Sequence, residues 1–301
     1  MSNFVQQQHT ICNFSNEDSW VILSPIEQSI KQKIESVGIP LKDWDIQIYR
    51  GVLTGYNDAF IISTEKRDEI LANCVTEEEK RKTAELIRPI LRGRDIKRYG
   101  YNWADLYLIA TFPSRHYNID DYPAVKTHLL SFGKERLEQT GKKYIIDDVE
   151  EKARKKTNNK WFETQDSISY WEDFNKPKII WKRIGSILRF SYDNTGSLGL
   201  DSTCFATGAN ISYLCCILNS KMGHYLLKDA PKTGTGDLLV SVQAIEPIKV
   251  PLPTIEIATM LESMLHMIVE NNSNTIEKEM DDIIYKLYHL SNDEIKYIEH
   301  Q

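Results

Sequence analysis

The chain has 301 residues, 41% of them apolar, with six Trp and fifteen Tyr. That suffices for the buried core of one large domain or two smaller ones and excludes a disordered protein. Net charge is −6, which by itself speaks against a nucleic-acid partner, yet residues 80–190 hold 24 Lys and Arg against 15 Asp and Glu; a basic middle between acidic ends is the footprint of a face built for a polyanion. No apolar run approaches the roughly 20 residues that cross a bilayer, so no membrane association is expected. The polar segment 1–19 lacks the basic-then-apolar order of a secretory signal and reads as a linker or the remnant of an upstream domain. Cys12, Cys74, Cys204, Cys215 and Cys216 form no CxxC pair, the usage of reduced thiols in a cytoplasmic protein.

After the apolar Trp20–Leu23, Ser24 as cap and Pro25 at the first helical position predict a helix to Val37, with Ile26, Ile30, Ile34 and Val37 on one face and Gly38 as its stop. Alternation over Trp44–Tyr49 predicts a strand. It feeds Tyr49–Ile62, which reads as strand, glycine-bracketed turn and second strand. Gly51 and Gly55 admit backbone angles that a β-carbon forbids, and Thr54, Asn57 and Asp58 offer local hydrogen bonds. A helix capped by Ser63 or Thr64 runs to about Leu71, and another from Thr76 to Pro89 or Leu91. A basic glycine turn follows, Arg92-Gly93-Arg94-Asp95-Ile96-Lys97-Arg98-Tyr99, leading into an aromatic-rich strand.

Tyr107–Phe112 is a strand stopped by Pro113, and Arg115, His116 and Tyr117 occupy a loop. A helix extends from Pro123 to about Leu137. The charged stretch 141–159 is a surface helix or a mobile arm. Aromatic residues concentrate between Trp161 and Phe174. Strands follow at Lys178–Ile184 and Arg189–Tyr192, the Asp193–Gly196 turn joins strands, and Thr203–Thr207 is a further strand. Ile211 to about Lys228 is one apolar helix, followed by the Lys232–Gly236 loop. Pro251-Leu252-Pro253 introduces helices at 254–271 and 275–290, and Ser291 with Glu294 forms a capping box for a last one. The sum is an α+β fold, a mixed, mostly antiparallel twisted sheet with packed helices over 20–250, then a C-terminal helical segment over 251–301.

The chain has no Pro-Pro pair, so it lacks the Asn/Asp-Pro-Pro-aromatic loop that holds a target amine for methylation. Asp68, Glu78 and Lys80 are the nearest match to the carboxylate and Glu-x-Lys of a metal-dependent nuclease, but they fall in charged helical segments. Seven scattered histidines form no HxxxH or HExxH pair. No catalytic residue and no metal ligand is therefore assigned. The Lys232-Thr233-Gly234-Thr235-Gly236 loop lacks the spacing of a nucleotide-binding loop but suits a backbone phosphate. In the basic turn, Arg92, Arg94, Lys97 and Arg98 either reach phosphates and guanine edges or pair with acidic neighbours such as Asp95.

Taken together, GVLTGYNDAFII, IRPILRGRDIKRYGY, YPAVKTHL, KPKIIW, STCFA, ISYLCCILNSK, APKTGTGDLLVS, IKVPLP and the tail DDIIYKLYHLSNDEIKYIE, in this order, resemble the TaqI-like C-terminal specificity domain of adenine-specific DNA methyltransferases and type IIG-like restriction–modification enzymes. A more distant resemblance, in Leu-Asn-Ser and Pro-Leu-Pro, is to type I specificity subunits. The family resemblance implies a target-recognition domain that docks in the major groove of double-stranded DNA, in a bacterial or archaeal cytoplasm. It also implies a methyltransferase or nuclease domain, N-terminal or separately encoded, with S-adenosylmethionine and Mg²⁺ on that partner and no cofactor on this chain. Base-contacting residues vary within the family, so none transfers by motif. The candidates for DNA contact are Thr54 and Asn57, Arg92, Arg94, Lys97 and Arg98, the loop Arg115, His116 and Tyr117, Lys182 and Arg183, and Lys232 and Thr233. The competing readings are the nuclease and a protein-interaction domain docking a methyltransferase subunit.

Overall fold

In the computed structural model, which describes residues 23–146, 149–271 and 273–301, the first helix is capped as its sequence requires. Ser24 and Glu27 form a reciprocal capping box at the head of α1 (Pro25–Val37). The segment 1–19, with Cys12, and Trp20–Ile22 lie outside the described residues. The chain continues through β1 (Ile39–Pro40), β2 (Ile46–Arg50), α2 (Asn57–Phe60), β3 (Ile61–Ser63), α3 (Thr64–Ala72), α4 (Glu77–Leu86), β4 (Ile87–Leu91) and β5 (Leu106–Ile109). Next come α5 (Pro123–Leu130), α6 (Lys134–Leu137), the hairpin β6 (Lys143–Ile146) and β7 (Val149–Lys152), β8 (Lys178–Lys182), β9 (Ile184–Gly185), β10 (Phe190–Asp193), β11 (Leu198–Gly199) and β12 (Thr203–Gly208). The last part holds α7 (Ile211–Asn219), α8 (Lys221–Leu226), β13 (Leu238–Leu239), α9 (Val242–Ile245), β14 (Lys249–Val250), α10 (Ile255–Asn271), α11 (Asn274–Leu287) and α12 (Asn292–Glu299). The fold is α+β, and among the described residues its strand pairs are antiparallel apart from β11 on β4.

Two four-stranded sheets organise the molecule, in the orders β10-β8-β12-β2 and β11-β4-β5-β3. The first is buried on both faces, which explains the unbroken apolar runs of β8 and β12. Ile179, Trp181, Cys204 and Ala206 point into one core, shared with α1, α7 and the terminal helices α10–α12. Ile180 and Phe205, the alternate positions, point into a second core with the other sheet and with α3 and α5. At the junction, Gly51 passes so close to β11 and the turn after it that a β-carbon would stand 2.0 Å from the Leu200 carbonyl oxygen. Gly51 is needed for that approach, not for an unusual φ.

Several expected elements differ. In the Tyr49–Ile62 stretch the two expected strands are β2, which ends at Arg50, and β3, but the turn between them runs through α2 and β3 pairs with β5. Helix α4 stops at Leu86, because Ile87–Leu91 is recruited as a strand between β5 and β11. No strand follows the basic turn; Ile96–Tyr101 and Tyr99–Ser191 make isolated bridges instead. The helix expected over 123–137 is two, parted at Gly133, whose φ is +82°. The helix over 211–228 is likewise broken by extended Ser220, whose hydroxyl caps α8.

The charged stretch 141–159 is neither surface helix nor loose arm. It folds as the β6–β7 hairpin and is anchored by buried Arg154. That guanidinium donates to the carbonyls of Leu137, Thr54, Glu163 and Trp161 at 2.6–2.9 Å, and burial lowers its pKa to about 10. Cys204, Cys215 and Cys216 are buried.

Candidate nucleic-acid interface

The basic turn follows directly from β4 and is built on buried Asp95. Its carboxylate accepts from the Arg92 backbone N–H at 2.8 Å and from the Arg92 Nε and Nη2 at 3.0 and 2.8 Å. Arg92 is thus committed to holding the turn, its pKa raised by that partner. Arg98 is committed too: Nη1 donates to Glu277 of α11 at 2.7 Å and Nη2 to the Asn219 carbonyl, the last of α7, at 2.9 Å. Both arginines, named as candidates for DNA contact, are thus engaged in internal ties, because buried or half-buried acceptors take their donors. Arg94 is exposed, and neither it nor Lys97 has an ion-pair partner among the described residues.

The turn abuts one end of the central sheet. The Gly93 N–H donates to Ser202 Oγ at 3.1 Å, and the Arg183 N–H donates to the Ser202 carbonyl at 3.0 Å. Lys182 packs over Gly93, where a β-carbon would stand 2.9 Å from its Cγ. In the ladder Lys182 lies opposite Thr203, and Cys204 opposite Arg50. Lys182 therefore ends β8, with Arg183 directly after it, and Arg50 ends β2, at the edge where Arg94 stands. Arg183 keeps a buried Nε with no acceptor among the described residues. Arg50 is exposed and escaped the sequence reading; its one signal there is its place as the last residue of a strand before the glycine stretch.

The Lys232–Gly236 loop reaches the same end. Strand β13, which closes it, pairs with β9, and the Val240 N–H donates to the Arg183 carbonyl at 2.8 Å. Lys232 is exposed. The loop's backbone amides are only partly available to a phosphate. Thr233 N–H is spent on Asp237 O at 2.8 Å and Gly236 N–H on Thr233 O at 2.9 Å, while Gly234 and Thr235 N–H have no backbone acceptor among the described residues. The Thr233 hydroxyl bonds Thr235 Oγ1 at 2.8 Å.

The remaining candidates are not gathered there. Thr54 is fully buried. Its hydroxyl donates to Asn57 Oδ1 at 2.6 Å and accepts the Tyr56 N–H at 3.1 Å. Thr54 holds the loop from within the core, and exposed Asn57 is its partner. Arg115 lies 3.8 Å over the Trp171 ring, His116 adopts a left-handed conformation at φ +53°, and Tyr117 stands edge-on to Tyr122. Arg115 and Tyr117 line a separate cavity.

The nuclease constellation dissolves into surface salt bridges. Asp68 lies 3.5 Å from Arg67 on α3, and Glu78 lies 2.8 Å from Lys82 on α4. Among the described residues no three His, Cys, Asp or Glu side chains are grouped to hold a metal ion. No helix among them is long and apolar enough to cross a membrane.

Arg94, Lys182, Arg183 and Lys232 all fall within residues 88–243, the segment that matches the profile of the TaqI-like C-terminal specificity domain. No curated protein is similar to the chain at a significant level. Among solved structures, the fold is shared with the type IIL restriction-modification enzyme MmeI, solved in complex with DNA, at a TM-score of 0.56 and 10% identity over 88% of this chain. The type IIG restriction endonuclease BpuSI aligns over 88% of the chain at 12% identity with a TM-score of 0.46. The chain spans about a third of the length of these enzymes, 36% and 33%. With half of its length inside the matched segment, the chain belongs to the TaqI-like C-terminal specificity domain family.

Proposed function

We propose that the chain is the target-recognition module of a restriction–modification system and reads double-stranded DNA with the basic end of its central sheet. The observation that carries this reading is the convergence of Arg94, Lys182, Arg183 and Lys232, from three separate stretches of sequence, on one edge within the family segment. Lysines and arginines without carboxylate partners neutralise phosphates, and a few of them read base edges once the register on the duplex is set. The rigid sheet beneath holds them in fixed relative positions, which base readout requires. Methyl transfer or cleavage belongs to a catalytic partner, carried upstream or on another chain of a bacterial or archaeal cytoplasmic system, and that partner binds S-adenosylmethionine and Mg²⁺. Exposed Ile255, Met260, Met267 and Val269 on α10 favour docking of such a partner on the C-terminal helices.

The test is a mobility shift with randomised duplexes, followed by sequencing of the bound fraction. One enriched motif, with affinity falling steeply as salt rises, is the expected result. Uniform recovery of all sequences would refute target recognition, and tight, salt-independent binding would refute the electrostatic basis.

A further inference from the structure

One concavity takes no part in the sheet-end surface. It measures about 360 Å³ and is lined among others by Lys82, Arg88, Arg115, Tyr117, Tyr122 and Trp171. Its cations are unevenly satisfied. Lys82 is held by Glu78 at 2.8 Å, and the acid of the lining, Glu85, is turned to Arg81 at 2.7 Å. Arg88 donates through Nη2 to Asn175 Oδ1 at 2.8 Å and to the Gly196 carbonyl at 2.7 Å, and no carboxylate pairs with it among the described residues. Nearby Asp193 is neutralised by buried Lys178. The Arg115 guanidinium sits over the Trp171 ring, its central carbon 3.8 Å from the ring centroid, and has no side-chain acceptor or acid among the described residues.

A partly buried guanidinium with no counter-charge is unfavourable, and burial accordingly lowers the Arg88 pKa. An anion entering the cavity reverses that. A phosphate alone would leave most of the space empty, since pockets of about 300 Å³ and upward hold small organic ligands. The Tyr117–Tyr122 pair adds an aromatic wall.

We propose that this cavity binds a single nucleotide, with Arg88 and Arg115 gripping the phosphate and Tyr117 and Tyr122 flanking the sugar or base. The nucleotide is either free in solution or an unpaired nucleotide standing out of a DNA stack. The site shares no residue with the basic sheet end and stands independently of duplex reading there.

Calorimetric titration of the full chain tests it with 2′-deoxynucleoside 5′-monophosphates, with inorganic phosphate and the nucleosides as controls. A second arm compares a perfect duplex with one carrying a single-nucleotide bulge. The expected result is a preference of about tenfold or more for the monophosphates over both controls, or for the bulged over the perfect duplex, lost by a similar factor in Arg115→Ala, since hydrogen bonds to charged groups carry effects of that size. A bulge preference that the monophosphate competes away assigns the site to DNA; monophosphate binding with equal affinity for both duplexes assigns it to free nucleotide. Arg88→Gln should act likewise. Because it also loses the Asn175 and Gly196 bonds, its melting temperature is read alongside, and exposed Arg115 decides the matter if that variant does not fold. Arg94→Ala should weaken the perfect duplex and leave the monophosphate unchanged. Absence of both preferences, or their persistence in Arg115→Ala, overturns the proposal.

Discussion

The four cations of the basic turn divide into two classes that mutation should separate. Arg98→Ala removes a bond to the last carbonyl of α7 at 2.9 Å and an ion pair with Glu277 at 2.7 Å, whose side chains are 37% and 21% exposed. The half-exposed pair contributes about 0.5–1 kcal/mol after solvent screening. The charge-assisted bond, placed where a helix C-terminus favours a cation, adds about 1–1.5 kcal/mol. The loss of about 2 kcal/mol should lower the melting temperature by about 3 °C for a chain of this size. Arg94→Ala removes an exposed side chain with no ion-pair partner among the described residues, so stability should stay within about 0.5 kcal/mol. Its effect should appear on DNA instead. If Arg94 meets a phosphate, the slope of log affinity against log salt falls by about 0.9, uniformly across sequences. If it reads a base, about 1–3 kcal/mol is lost and discrimination relaxes at one position. Thermal melts by circular dichroism and salt-dependent mobility shifts on the two purified variants decide the question. A melting temperature lowered as much by Arg94→Ala as by Arg98→Ala, or DNA binding unaffected by Arg94→Ala, would refute the division.

Other perturbations test the scaffold. Asp193 accepts from buried Lys178, Tyr101, Ser197 and Thr195. Asp193→Ala strands Lys178 without a counter-charge and should cost about 3–5 kcal/mol in denaturant unfolding; a loss below about 1 kcal/mol would show that the cation finds another partner. Gly51→Ala should fail to fold or lose more than about 4 kcal/mol, because the collision is with backbone that cannot turn aside; a soluble variant with an unchanged melt would contradict the close approach. For Glu294, burial alone would raise the pKa, but Lys33, Ser29 and the Ser291 cap bring it down to about 2. A depressed carboxyl stabilises above its unfolded pKa of 4.5 and loses that contribution as pH falls toward 2. Stability should thus decline over that window in the parent and less steeply in Glu294→Gln, and parallel pH profiles would exclude the linkage. Thr54→Ala should cost about 1–2 kcal/mol by unpairing the loop with unchanged affinity for duplex DNA; weakened binding at unchanged stability would restore Thr54 to the interface.

Local chemistry made much of this protein legible. The caps at Ser24, Ser63 and Ser291, the amphipathic first helix and the apolar runs of β8 and β12 depend on neighbours within a few residues, and they stand where residue order alone puts them. Where the reading missed, partners distant in sequence had decided. Ile87–Leu91 becomes a strand because β5 and β11 flank it, and 141–159 becomes a hairpin because Arg154 finds four carbonyls supplied by three other segments. The candidate site divides the same way. The sequence by itself determined that this is an α+β specificity domain with an excess of cations in its middle. A charge count cannot tell an arginine spent on Glu277 or Asp95 from one left facing water. Only the tertiary structure decided that Arg92, Arg98 and Thr54 hold the fold while Arg94, Lys182, Arg183 and Lys232 share an edge, because a side chain's availability depends on which distant acceptors folding brings within reach.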